Sequence, residues 1–229
     1  GEYISYANCG LPYYLWLVIT DKKALQVQTV AGFRSRFRVD VRTESEVISV
    51  DTQKKTVQVR HGGETYEESY DKLVLSPGAS PVKPPIPGME ENHVFTLRNI
   101  PDTYAIYDFI EEHKPQTCVV VGAGFIGLEM AENLSERGLK VTVVEGAAHV
   151  MPPIDMDMAH QVHNYIRAKG LGLCLGQTCT AMDKEGVILS GGQKIPADMV
   201  LLSIGVRPDT AFLKDSGIEM GPRGEIVVN

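Results

Sequence analysis

Apolar residues along this chain recur with two different periods, and each switch between them predicts a change of element. Phe33 and Phe37, four apart, predict a helix over 29–38. The alternation then becomes every second residue at 39–41, 47–50 and 56–59. His61-Gly62-Gly63-Glu64 turns the chain back, so an antiparallel β meander is predicted. Leu73-Val74-Leu75 predicts a short buried strand that stops at Ser76-Pro77-Gly78-Ala79. Pro81, Pro84, Pro85 and Pro87 make 81–88 a stiff connector and a candidate boundary between lobes. Beyond it the pattern predicts a helix over 101–114, a strand over 118–121, a glycine turn, a helix to Arg137 with Gly138 as its stop, and a strand over 141–144. A helix over 156–169, a strand over 172–175, short strands to Ile195 and a strand over 199–203 continue the alternation. Near the start, Pro12 suits a first helical turn and predicts a short helix. The whole reads as an α/β chain of two lobes, residues 1–96 with the meander and residues 97–229 with alternating strands and helices.

Composition narrows the possibilities. The 229 residues are 43% hydrophobic and 22% charged, which excludes disorder, collagen and coiled coil. A net charge of −7 repels phosphate backbones, so no nucleic-acid partner is expected. The longest apolar runs, 13–19 and 118–128, are shorter than the roughly 18 residues a bilayer requires, and no signal peptide opens the sequence. No membrane partner and a cytoplasmic location are therefore expected. Cys9, Cys118, Cys174 and Cys179 have neither a disulfide-framework nor a zinc spacing, as suits a reducing compartment. Cys174 and Cys179 read as core or turn residues. His160 and His163, near Asp155 and Asp157, read as exposed helix polars, and no metal site is expected.

The strongest chemical signal is Gly122-Ala123-Gly124-Phe125-Ile126-Gly127, a G-x-G-x-x-G that follows a strand and opens a helix, with Glu145 ending the next strand. Gly122 permits the tight turn, Gly124 lets the backbone approach a pyrophosphate, and Gly127 lets helix and strand pack closely. The helix start offers free N–H groups to phosphates. This predicts a Rossmann-type NAD-binding lobe. The Glu145 carboxylate can accept from both ribose hydroxyls and would repel a 2′-phosphate, and no Lys or Arg occurs in 146–166 to attract one. NADH is therefore expected to be preferred over NADPH. A glycine turn that binds nothing is the competing reading.

Cys9 lies just before the helix expected at Pro12, where a helix start would favour a thiolate, with Ser5 and Asn8 supplying polar groups nearby. A packed structural cysteine fits the same spacing. The segment Ser5-Tyr6-Ala7-Asn8-Cys9-Gly10-Leu11-Pro12-Tyr13-Tyr14 resembles the redox-cysteine segment of coenzyme A disulfide reductases. These belong to the single-cysteine branch of the flavin-dependent pyridine nucleotide–disulfide oxidoreductases. Three further motifs match in family order: Leu73 to Ala79, Gly122 to Glu129, and Ile204-Gly205-Val206-Arg207-Pro208-Asp209.

The resemblance implies an FAD and NAD(P)H enzyme in which Cys9 is the redox nucleophile. Ser5 and Asn8 would line the substrate-thiol site, and the substrate would be coenzyme A disulfide or a related disulfide or persulfide. It further implies FAD contacts at Val47, Ser76, Pro77 and Gly78. NAD contacts would fall at Gly122, Gly124, Phe125, Ile126, Gly127, Glu145 and Gly205, and at Glu129, which reads equally as an ordinary helix-surface acid. Arg34, Arg36 and Arg38 would meet coenzyme A phosphates or form a solvated face. NADH oxidase or peroxidase, cycling the same cysteine through a sulfenic acid, is the alternative, and a non-catalytic NAD-binding module is another. Trp16-Leu17 departs from the small residues usual in the family. Residues 1–96 would be only part of an FAD-binding lobe. The first flavin-binding unit is expected ahead of Gly1, and a second flavin segment and a homodimerising domain after Asn229. The chain alone is expected to bind FAD poorly and to turn over little.

Overall fold

The computed structural model describes residues 1–228. Its α-helices are α1 (Leu11–Leu15), α2 (Val30–Phe37), α3 (Ile100–His113), α4 (Phe125–Glu136) and α5 (Met156–Ala168). Its main strands are β1 (Ser45–Asp51), β2 (Thr56–His61), β3 (Glu64–Ser69), β4 (Val94–Thr96), β5 (Thr117–Val121), β6 (Lys140–Glu145), β7 (Gly172–Leu175), β8 (Cys179–Asp183), β9 (Gly186–Leu189), β10 (Lys194–Pro196) and β11 (Met199–Leu202). The chain divides into two compact units. One holds residues 1–6, 26–80 and 206 onward; the other holds 7–25 and 81–205. The contacts thus divide at the start of the proline run rather than at residue 96. That run packs into the second unit. Met182 donates its N–H to the Pro87 carbonyl at 2.8 Å, and Ile86 packs on the core there. A Cβ on Gly88 would lie 2.0 Å from the Met182 carbonyl, so only glycine lets the two backbones meet.

In the first unit β1, β2 and β3 form the expected antiparallel meander, with Val47 opposite Val59 and Val59 opposite Tyr66. Alternation turns Val50, Val57 and Val59 to one side, where Leu213, Phe212, Ile218 and Ile226 cover them. Thr29 caps α2 by accepting the Gly32 N–H at 3.1 Å, and the rings of Phe33 and Phe37 meet at 4.7 Å. Two predicted strands do not form. Residues 39–41 are irregular, and so are 73–75, with Val74 88% exposed. A strand exists only where another strand takes its N–H and C=O groups, and among the described residues none pairs with either segment. Of the second three, Leu75 alone packs on the meander core.

In the second unit five parallel strands lie in the order β7-β6-β5-β11-β4. α4 packs on β5 and β6, α5 on β7, and α3 on β4. The antiparallel ribbon β8-β9-β10 buries Met182, Val187, Leu189 and Ile195 against Val119, Val121, Val144, Val200 and Leu202 of the sheet. Both faces are covered, which is why the strands read as unbroken apolar runs. Asn99 and Asp102 close a reciprocal capping box at the start of α3. Gly138 ends α4 at φ +100. The expectation of exposed polars fails at His163, which is 4% exposed, although His160 is exposed. Ala159, His163 and Ile166 form the i, i+4, i+7 stripe by which α5 faces inward. No group of three potential metal-ligating side chains occurs among the described residues, and no helix there is long and apolar enough to cross a membrane.

Candidate functional site

Strands β5, β6 and β7 run outward on one side of the sheet, and β11 and β4 lie on the other. The chain reverses direction of growth between β5 and β11, and ligands of open parallel sheets sit beyond the carboxyl ends of the strands at such a point. The glycine sequence occupies it. Gly122 has φ +103, and a Cβ there would lie 2.3 Å from the Ser203 carbonyl at the end of β11. A Cβ on Gly127 would lie 2.0 Å from the Gly122 carbonyl. These two glycines are required by packing alone. Gly124 is different: it has φ −77, and nothing lies within 4 Å of where its Cβ would be. Its lack of a side chain leaves open space in front of α4. It is also the N-cap of α4 and supplies no side-chain cap, so the first-turn N–H groups face that opening. Phe125 and Ile126, the first two residues of α4, are exposed at 63% and 43%. A pyrophosphate fits such a cradle.

Glu145, at the end of β6, is already engaged. One carboxylate oxygen accepts the Ala123 N–H at 2.7 Å, and the other accepts the Ala147 N–H at 2.8 Å. It therefore shapes the glycine loop, and each oxygen keeps a lone pair for a further donor. The sequence reading missed this second role, and it missed Ser203 and Met151. Ser203 donates its N–H to the Val121 carbonyl at 2.7 Å, and Met151 donates its N–H to the Ala123 carbonyl at 2.8 Å. Backbone partners carry no sequence signal. Gly205 follows β11 with φ +109 and accepts the Val82 N–H at 3.0 Å. Glu129 is half-buried in a groove with Phe125, Met151 and Tyr165. Burial, and then the charge of Glu132, raise its carboxyl above the ordinary glutamate range.

Cys9 lies in the same unit, in a 3₁₀ turn over Asn8–Gly10 that leads into α1. Ala7 donates its N–H to the Leu25 carbonyl at 2.9 Å and Gly10 to the Ala7 carbonyl at 2.8 Å. Gly10 sits where a Cβ would lie 3.2 Å from both Ala7 and Ile19, so the turn is tight. Leu11, Tyr14 and Leu15 are buried as α1 packs on α3 and α4. Arg137 follows α4. Its guanidinium bonds the Leu15 carbonyl and the Glu111 carboxylate and lies over the Tyr107 ring at 5.0 Å. One helix thus carries the glycine loop at its start and supports the cysteine segment along its flank. Cys9 and Asn8 are exposed, whereas Cys118 is fully buried and its thiol is pushed up to about 12 by desolvation.

The remaining expected residues lie in the other unit: Ser5, Val47, Ser76, Pro77 and Gly78. Val47 is on β1, and Ser76 and Gly78 are exposed along a coil. Arg34 pairs with Asp40 at 3.1 Å, and Arg34, Arg36 and Arg38 are all exposed. Trp16 and Leu17 are exposed too, Leu17 with φ 66.

A parallel sheet with a glycine loop at its switch point defines an α/β fold of the Rossmann type. Comparison with known proteins sharpens this. The family model of the pyridine nucleotide-disulphide oxidoreductases matches residues 1–229, and the chain belongs to that family. It is 35% identical over 228 residues to the coenzyme A disulfide reductase of Staphylococcus aureus, covering 99% of this chain and 51% of that protein. The crystal structure of reduced Bacillus anthracis CoADR-RHD superposes with a TM-score of 0.97 at 48% identity, over 100% of this chain and 42% of that one. An NAD-dependent persulfide reductase from A. fulgidus superposes with a TM-score of 0.95 at 33% identity, over 100% of this chain and 44% of that one. The chain spans about half the length of the curated relatives it matches.

Proposed function

We propose that the enzyme carrying this chain is an NAD(P)H-dependent flavoprotein reductase of coenzyme A disulfide or a related disulfide or persulfide, with Cys9 as its single redox sulfur. The observation that carries this reading is that, of the four cysteines, Cys9 alone is exposed, on a segment packed against the helix that opens with the glycine loop. The unit of residues 7–25 and 81–205 supplies the NAD(P)H side, and the unit of residues 1–6, 26–80 and 206 onward part of the flavin side. Gly122, Gly124 and Gly127, with the first turn of α4 at Phe125 and Ile126, hold the pyrophosphate. Glu145 accepts from the ribose, Gly205 flanks the crevice, and Glu129 faces the nicotinamide end.

FAD is typical of the family, and Val47, Ser76, Pro77 and Gly78 are its proposed contacts. Among the described residues their unit has no parallel sheet and no glycine turn opening a helix, so the fit is partial. When bound, a flavin supplies the relay of two electrons between nicotinamide and sulfur. The chain's own part is thiol chemistry. The Cys9 thiolate attacks one sulfur of the substrate, a Cys9–S–S–R bond forms, the substrate S–S bond breaks, and a thiolate RS⁻ leaves. Two electrons originating in NADH then return Cys9 to the thiolate and free the second RS⁻. Asn8 and Ser5 are the proposed substrate contacts. A persulfide enters the same cycle, which keeps it within the substrate class. The free thiols suit a reducing, cytoplasmic compartment, and a homodimer is proposed for the active enzyme.

Anaerobic NADH consumption by the enzyme carrying this chain, in the presence of FAD and coenzyme A disulfide, tests the function. Oxidation that requires the disulfide is expected, with thiol released in a two-to-one ratio to NADH. Consumption that proceeds only with oxygen or peroxide would assign the oxidase or peroxidase reading instead.

Cofactor choice gives a second expected result. Glu145→Ser removes two charge-assisted acceptors from the loop and the charge facing a 2′-phosphate. NADH should bind more weakly by tenfold to a hundredfold, on the order of 1.5–3 kcal/mol. NADPH should lose less, narrowing the preference for NADH. Titration of both nucleotides into both proteins measures this, and a native protein that binds NADPH more tightly would contradict it.

A further inference from the structure

The glycine loop is held from a second side, by a residue that the proposed chemistry does not use. The segment 146–151 after β6 closes over the loop. Met151 donates to the Ala123 carbonyl, and Ala147 and Ala123 donate to the two oxygens of Glu145. Between them Val150 is fully buried, and its N–H donates to Nε2 of His163 on α5 at 3.2 Å. A ring nitrogen that accepts carries no proton, so this imidazole is neutral, with its proton on Nδ1.

We propose that neutral His163 is a positioning residue of the nucleotide site, and that its protonation releases Val150 and with it the grip of Met151 on the glycine loop, weakening dinucleotide binding. The proposal rests on the reading that this loop binds NAD(P)H. A proton from solvent that lands on Nε2 converts the acceptor into a donor. The Val150 N–H then has a donor facing it in a buried position, where an unmatched polar group costs most. The loop can recover only by moving away, and the next bond along it is the one from Met151 to Ala123.

The surroundings favour the neutral ring. His160, one turn back on α5, has its ring 5.6 Å from that of His163. Arg167 stands one turn on, and His149 bears on the ring from the 146–151 segment. Burial acts first, and these three charges add to it, so the group titrates below the ordinary histidine value of 6.5. A base whose folded pKa is depressed contributes stability that is present above its unfolded pKa and is lost as pH falls through the folded one. Dinucleotide affinity should follow the same direction.

The test is NAD⁺ binding by calorimetry, chosen because this ligand survives acid, between pH 7.5 and 4.5, a range that runs well below the ordinary histidine value. The native protein should lose about tenfold in affinity over that range, the loss expected for one buried hydrogen bond. His163→Gln keeps an acceptor without a titratable proton and should flatten the profile. His163→Leu should bind weakly and almost independently of pH. A flat native profile, or a His163→Gln profile that keeps the native inflection, overturns the proposal, the latter by assigning the effect to His149 or His160. Amide exchange in the native protein covers the case in which a variant fails to fold. Relative to intrinsic rates, Val150 and Met151 should lose about tenfold in protection at pH 4.5, while Val119 and Val143 in the sheet keep theirs. Unchanged protection at Val150 and Met151 defeats the latch even where NAD⁺ binds. Absence of NAD⁺ binding at every pH would instead defeat the nucleotide reading on which the proposal stands.

Discussion

Cys9→Ser is expected to abolish disulfide-dependent NADH oxidation, lowering kcat by roughly 10³ or more while leaving NADH affinity unchanged. A serine oxygen cannot form the mixed disulfide, and no other cysteine is exposed to inherit the step. Cys118 is sealed in the sheet with its thiol raised to about 12, and burial raises the Cys179 thiol too. Neither supplies a reachable thiolate at neutral pH. Alkylation gives an independent check: iodoacetamide at pH 7.5 should modify Cys9 well before Cys118, with mass spectrometry of peptides reading the order. Full turnover by the serine variant would place the redox step elsewhere than on Cys9, and equal labelling of Cys9 and Cys118 would return the chain to the class of non-catalytic nucleotide-binding modules.

The glycine loop allows stability and binding to be separated. Gly127→Ala places a methyl 2.0 Å from the Gly122 carbonyl, and neither backbone can yield without opening the contact of α4 with β5 and β6. A loss of about 3 kcal/mol or more is expected, near the upper end for overpacking, with melting lowered by roughly 10 °C. Gly124→Ala meets nothing within 4 Å and has φ −77, so the fold should be unaffected. Its new methyl enters the space that a pyrophosphate would use, and NADH affinity should fall at least about tenfold, a cost of ~1.4 kcal/mol. Thermal melting and NADH titration on both variants should therefore show opposite profiles. Normal nucleotide binding by Gly124→Ala would mean that the cradle is not a phosphate site.

Much of this was legible in the order of residues. The βαβ unit around Gly122, the stop at Gly138 and the meander with its His61–Glu64 turn all rest on local causes: the period of apolar side chains, and the φ angles that glycine and proline allow or forbid. Such causes act within a few residues and leave a mark in the sequence. The assignments that failed depend on partners far along the chain. Leu73-Val74-Leu75 has the apolar character of a strand, but a strand is made by its neighbours, and here none pairs with it. His163 has the spacing of a surface polar, yet α5 turns it inward beside Val150, thirteen residues earlier in the chain. Glu145 announced a ribose contact; that it also clasps Ala123 appears only when β5 and β6 lie side by side. Cys9 was grouped by position with the flavin lobe, and it is the packing of Leu11, Tyr14 and Leu15 on α3 and α4 that gives it to the nucleotide unit. Periodicity says which face of an element is apolar. Which surface covers that face is settled by contacts between distant segments, because burial is a property of the assembled core and not of any one stretch of chain.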